Sequence, residues 1–228
     1  MKISPQNSAH AETVQTEKRE MILLTIIRSE ENGRLVSSAD LARELNGDVS
    51  AEVRALIEQS LVCSAPSGLL SLTKTGGDQA RSLLRRHRLT ERLFTDVLHL
   101  DWARAHEEAD KLEHSLSSTA EAQLATTLGN PDTCPHGNPI PSAINGVNDS
   151  RSAPLTQCSP LTDVRIVRIA SETPAALQHL ATLGLLPNVE IAIENKAPFD
   201  GPVLIRVGRA HYALGHNLAA RIWVQPAH

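Results

Sequence analysis

Four residues, His106, Asp110, Glu113 and His114, stand at i, i+4, i+7 and i+8. That spacing puts them on one face of a helix. Two imidazoles and two carboxylates form a donor set suited to a borderline divalent transition metal. His87 and Glu91 repeat the i, i+4 spacing on the preceding segment. A lone His/Glu pair is more simply a charged helix face, but six potential ligands here fall within 28 residues. Further on, Cys134-Pro135-His136-Gly137 holds a thiol and an imidazole two residues apart in a rigid turn, a metal-ligand pair by type and spacing.

Charge is distributed in keeping with this. Residues 16–92 carry 12 Lys/Arg against 11 Asp/Glu, whereas residues 93–141 carry 2 against 8 and hold four of the ten histidines. An acidic, His-containing segment is where a cation would go. The net charge of −4 argues against a purely electrostatic nucleic-acid binder, though not against a local basic face. Aromatics at 2% leave Leu, Ile, Val and Ala to build the cores. Cys63, Cys134 and Cys158 are odd in number and widely spaced, so they do not read as a disulfide framework. No apolar run approaches the ~20 residues of a membrane span, and no leader is evident. The expectation is a cytoplasmic protein with no membrane partner.

The elements that must position these residues read as α+β. Residues 1–15 are polar and aperiodic, and are expected to be a disordered tail. Residues 16–80 read as a winged helix-turn-helix: a helix with the apolar stripe Ile22, Leu23, Ile26 and Ile27, a short helix at 39–45, and a third helix at 51–59 capped by Ser50. The inner face of that third helix is Val53, Leu56 and Ile57, and a hairpin around Pro66-Ser67-Gly68 follows. The third helix would enter the major groove with Ser50, Ala51, Glu52 and Arg54 outward; Ser37 and Ser38, at the start of the helix before it, complete the DNA-binding set. Arg54 alone is a strong base-reading donor. Residues 81–141 read as an all-α dimerisation and metal-binding domain. It opens on a helix over 78–98 whose arginines (Arg81, Arg85, Arg86, Arg88, Arg92) could meet phosphates. Asp101 caps the next helix, which runs to about Leu116, and Phe94, Leu98, Leu112 and Leu116 suggest a self-association surface. Residues 142–160 read as a linker, and the strands of 161–228 as a small SH3-like β-barrel.

Three stretches carry a resemblance to a known family: His87-Arg88-Leu89-Thr90-Glu91-Arg92-Leu93, the run from His106 to Glu113-His114, and His136-Gly137-Asn138-Pro139-Ile140-Pro141. With the C-terminal Leu183-Gly184-Leu185-Leu186-Pro187-Asn188, they resemble the long form of the diphtheria-toxin-repressor family of metal-dependent regulators. The resemblance implies a homodimer that binds palindromic operator DNA when loaded with Mn(II) or Fe(II), two ions per subunit, and controls metal uptake by repression. It implies a primary site of Met21, Asp110, Glu113 and His114, and an ancillary site of His87, Glu91, His106, Cys134 and His136, with Glu172 as the nearest further ligand. The pairing of Met21 with Asp110 mixes the iron-type and manganese-type ligand sets. On this reading Asp110, Glu113, Glu107 and Glu108 crowd one face until a cation offsets their repulsion.

Two other classes compete with a regulator for these residues. His106-Glu107-Glu108-Ala109-Asp110 falls one residue short of the zinc-hydrolase pattern, Asp110 standing where a second His belongs, and no nucleophile or small-molecule substrate pocket accompanies it. A metal-trafficking accessory protein would need no DNA reader.

Overall fold

The computed structural model describes residues 5–141, 152–170 and 173–227, with side chains from Val14 onward. The chain divides after Arg85 into two compact units.

In the first unit, α1 (Pro5–Glu31) lays Ile22, Leu23, Leu24, Ile26 and Ile27 into a core shared with Leu41, Val53, Leu56, Leu70 and Leu84. The segment expected to be a disordered tail is therefore helical from residue 5. Apolar periodicity marks where a helix is buried, not where it starts, and Pro5 at the first helical position sacrifices no hydrogen bond. β1 (Val36–Ser37) leads into α2 (Ser38–Glu44). Ser37 caps α2 through a reciprocal capping box with Asp40. α3 (Ser50–Glu58) follows. β2 (Val62–Ser64) and β3 (Leu69–Leu72) form the wing, with β3 central in the order β1-β3-β2.

Three expectations about α3 are corrected. Ser50 is the first helical residue rather than its cap: the cap position is Val49, and the Ser50 N–H is taken by Asp48 Oδ1 at 2.9 Å. Glu52 faces inward, 8% exposed, and pairs with Lys18 of α1 at 3.0 Å. Ile57, expected inside, is 39% exposed. Val53 and Leu56 face inward as expected, and the half-exposed Lys18 lets the Glu52 carboxylate turn inward from a position that hydrophobicity alone assigns to solvent. Ser50, Ala51 and Arg54 remain exposed.

α4 (Lys74–Arg92) starts with Gly76 against Leu61, so close that a Cβ would overlap the Leu61 carbonyl oxygen. The helix loosens into a π turn at Leu93–Val97 instead of running on to residue 98.

The second unit continues with α5 (Trp102–Leu112), a 3-10 turn at Glu113–Ser115, and α6 (Ser118–Thr127). After residues 142–151, which lie outside the described set, comes a six-stranded antiparallel sheet. Its strands are β4 (Ala153–Pro154), β5 (Thr162–Ile169), β6 (Glu190–Lys196), β7 (Val203–Val207), β8 (Ala210–Leu214) and β9 (Ile222–Pro226), in the order β4-β9-β5-β6-β7-β8. α7 (Pro174–Thr182) and α8 (His216–Ala219) cover it. The SH3-like part thus begins near Ser152, inside the expected linker. Pro154 pairs with Trp223, and Leu155 is fully buried in the barrel core; burying a leucine stabilises by roughly 1.5–3 kcal/mol, enough to fasten a polar segment. β8, Ala210–Leu214, escaped the sequence reading because Ala-His-Tyr-Ala-Leu is weak in β-branched residues. Among the described residues no helix is long and apolar enough to cross a membrane.

Candidate metal centre

α4 is regular through Arg92, so His87 and Glu91 stand one turn apart, as do Arg88 and Arg92. His87, Arg88 and Glu91 are each at most 1% exposed. The arginine run expected to meet phosphates is in part turned inward. Arg86 Nε donates to the Glu113 carbonyl at 3.1 Å, the Arg88 guanidinium to the Pro139 carbonyl, and Arg92 Nε to the Thr133 carbonyl at 2.7 Å. A helix end and a Pro-rich turn leave carbonyls without partners, and these cations satisfy them. Arg81 stays outside, paired with Asp78.

Asp101 Oδ1 accepts the Arg104 N–H at 3.0 Å and starts α5 as expected. The helix stops at Leu112 rather than near Leu116, and the tighter 3-10 turn carries Glu113 fully into the interior. Ala105 and Ala109, both fully buried, keep the inner face of α5 small beside His106 and Asp110. Glu107 and Glu108 do not belong to the crowded face. Glu107 is exposed, and Glu108 pairs with Lys111 at 2.7 Å.

The third wall is the turn Asp132–Ile140. Cys134 N–H donates to the Asn138 carbonyl at 2.8 Å and Gly137 N–H to the Cys134 carbonyl at 2.9 Å, with Gly137 at φ +82. That left-handed conformation is one glycine adopts freely. The turn leaves Cys134 Sγ 3.6 Å from His136 Nδ1, with both side chains buried. The His136 ring stacks on Trp102 with centroids 5.1 Å apart.

These walls bring the expected ligands into one continuous cluster with His87 at its middle. His87 Nδ1 lies 2.6 Å from Glu113 Oε2 and 3.3 Å from Asp110 Oδ1. Its Nε2 lies 2.9 Å from Glu91 Oε1 and 3.1 Å from His106 Nδ1. Glu91 Oε1 is also faced by His106 Nδ1 at 2.8 Å and His136 Nδ1 at 3.2 Å. His106 Nε2 is 3.7 Å from Asp110 Oδ2, and His114 Nε2 is 3.6 Å from Glu113 Oε1. Donor atoms of Glu91, Cys134 and His136 lie within 4.8 Å of one another, and so do those of His87, His106 and Asp110. Met21 sits in the other unit, half-buried against the core there. Glu172 lies outside the described residues.

Burial by itself would raise the Glu91 carboxyl, but the charges of His136 and His87 outweigh it and hold the group well below the ordinary carboxylate range. Burial likewise works against a charged His136, and the Glu91 carboxylate overrides it, raising His136 well above the ordinary imidazole value. The Cys134 thiol is pushed up, first by burial and then by the Glu91 charge. Glu91 Oε2 and His136 Nε2 are buried with no hydrogen-bond partner. Buried polar atoms are nearly always satisfied, so an unpartnered carboxylate oxygen and ring nitrogen beside a thiol fit a site built for a cation. Carboxylate, imidazole and thiol together suit a divalent transition metal. Asn138 and Trp102, which shape the site, drew no functional reading from the sequence, although Asn138 lay inside a motif that carried the resemblance; Arg88 was read as a phosphate contact.

Residues 73–142 match the family described as "Iron dependent repressor, metal binding and dimerisation domain", and residues 153–226 match the FeoA domain. The chain is similar to "Iron-dependent repressor IdeR" of Mycobacterium leprae, 31% identical over 225 residues, covering 90% of this chain and 96% of the relative. It is 38% identical over 138 residues to "Diphtheria toxin repressor" of Corynebacterium diphtheriae, covering 59% of this chain and 61% of the relative. Among solved structures, "Manganese-dependent transcriptional repressor complex with manganese" superposes with a TM-score of 0.82 at 29% identity, covering 91% of this chain and 99% of that one. "Crystal structure of T. acidophilum IdeR" does so with a TM-score of 0.77 at 30% identity, covering 92% and 97%. With a winged helix-turn-helix, a buried His/carboxylate/thiol cluster and an SH3-like sheet in one chain, this protein belongs to the iron-dependent repressor family and is a metal-dependent transcriptional regulator, not an enzyme.

Proposed function

We propose that this regulator takes up Mn(II) or Fe(II) at two linked positions in the second unit, dimerises, and binds a palindromic operator to repress metal-uptake genes. The observation that carries the proposal is His87, buried, with one ring nitrogen toward Glu91 and His106 and the other toward Asp110 and Glu113. Glu91, His106, Cys134 and His136 would hold one ion and Asp110, Glu113 and His114 the other. A bound divalent cation supplies the positive charge that offsets the inward-facing carboxylates.

A ligating histidine is typically oriented by a carboxylate on its second nitrogen. His87 meets that description from either side, so filling one position orders a residue that faces the other. Linkage then makes metal and DNA affinity reciprocal, typically by ~1–3 kcal/mol. Both metals remain in the proposal because the Cys134 thiol favours the softer ion while the carboxylates suit Mn(II).

Exposed Val97 and Leu98, about half accessible, support the dimer surface. On the DNA side, exposed Arg54 on α3 is the base-reading donor. Arg54→Ala should weaken operator binding by about 1–3 kcal/mol and relax sequence preference at one position. The decisive measurement is operator binding by Glu113→Ala with and without Mn(II), beside an anaerobic titration of the parent with Fe(II), Mn(II) and Zn(II). Loss of the metal response in the variant is expected; an undiminished response would overturn the proposal.

A further inference from the structure

Strand β5 and the Cys134–Ile140 turn are joined by contacts that the metal ligands themselves do not require. The Ile169 N–H donates to the His136 carbonyl at 2.8 Å. Asn138 Nδ2 donates to the Ile169 carbonyl at 3.0 Å, and Asn138 Oδ1 accepts from Arg168 at 3.4 Å, so both ends of one amide are used by adjacent residues of β5. The Arg168 guanidinium lies 4.0 Å above the Trp223 ring, held there because Arg168 pairs directly with Trp223 across β9. The register of that pairing slips between Ile166 and Arg168, a β-bulge at Val167. Bulges re-aim side chains beside functional sites. The Val167 carbonyl presses against Gly137 so closely that a Cβ there would overlap its oxygen and come within 2.8 Å of Arg168 Cα.

We infer that β5, through Arg168, Ile169 and the bulge at Val167, is a positioning wall that sets the His136 and Cys134 donors toward Glu91. This rests on the proposed ligand roles of Cys134 and His136. On the α4 side Arg88 and Arg92 hold the same turn by the carbonyls of Pro139, Thr133 and Cys134. The turn is therefore gripped from two directions, and the β5 grip reaches the backbone of His136 itself. Arg168 acts through Asn138, and Trp223 through Arg168.

The test is an anaerobic Co(II) titration of the full chain, following the thiolate-to-cobalt charge-transfer band, with hydrogen exchange of the Ile169 amide in the metal-free protein as a second readout. Gly137→Ala and Arg168→Met should weaken Co(II) binding by about 10–100-fold, the range typical of residues that orient ligands. Both should accelerate exchange at Ile169, and Arg168→Lys, which keeps a cation over Trp223, should recover part of the affinity. If Gly137→Ala does not fold, Arg168→Met carries the test alone, since the side chain is only half-buried. His136→Ala separates the two levels. If it keeps the parental band and affinity, the ligand assignment falls and this inference with it. If it loses them while Gly137→Ala or Arg168→Met behaves like the parent in both readouts, the positioning role is overturned and the ligands stand.

Discussion

The Glu91 half of the centre is closed: Glu91, His106, Cys134 and His136 are at most 3% exposed, and the turn that bears two of them is held on both sides. In the Asp110 half only Glu113 is fully buried, while the Asp110 side chain is 32% exposed and that of His114 10%. The first half places its charges in low dielectric during folding, where each must already be compensated. The second leaves part of its charge in water, where screening makes compensation less urgent. The closed half is thereby a structural element as much as a ligand set, whereas the open half can change partners without disturbing the core.

The strongest way to break this comparison is to delete one carboxylate from each half. Glu91→Ala should lower the urea stability of the metal-free protein by about 3–5 kcal/mol, the loss expected when one partner of a buried charge cluster goes. Equal destabilisation by Asp110→Ala would show that the halves do not differ in this way. Next in size is the grip on the turn. Arg88→Met keeps the buried stem but removes the donor to Pro139, and should cost about 1.5–3 kcal/mol. Isothermal titration should show weaker metal binding in the Glu91 half with the Asp110 half little changed.

A pH series sharpens the contrast at roughly tenfold per displaced proton per pH unit, or about 1.4 kcal/mol. His136 is raised above its ordinary 6.5, so its contribution to the metal-free fold is complete below that value and is lost as pH rises through the raised value. Glu91 is depressed below its ordinary 4.5, so its contribution is present above that value and is lost as pH falls through the depressed one. Metal-free stability from the pair should be greatest between about 4.5 and 6.5. Metal affinity in the Glu91 half should instead climb with pH above this window, because a ligand imidazole must give up its proton; proton release on metal addition measures it directly. The smallest effect is Asp110→Ala on metal-free stability, no more than about 1 kcal/mol.

Much of the architecture was legible in local pattern. The stripe Ile22–Ile27 and the cap at Asp101 rest on short-range rules of periodicity and capping, and both appear in the structure. Local pattern misled where a polar residue had a distant partner. Glu52 looked solvent-facing until Lys18, 34 residues away, was seen to cover it. Arg86, Arg88 and Arg92 looked like a phosphate face because the carbonyls that hold them lie 27 to 51 residues further on.

From the sequence alone came the ligand types, the six potential donors between His87 and His114 and the thiol–imidazole turn after them, because donor chemistry belongs to the side chain and i, i+4 spacing to the helix. How those donors are shared was decided only by tertiary structure. His106 and Asp110, assigned to different ions, stand 3.7 Å apart, and His87 faces both groups. A 3-10 turn rotates Glu113 inward, and a β-bulge brings a distant strand against Gly137. These are packing outcomes, set by which buried charges and carbonyls find partners far along the chain, and no spacing rule encodes them.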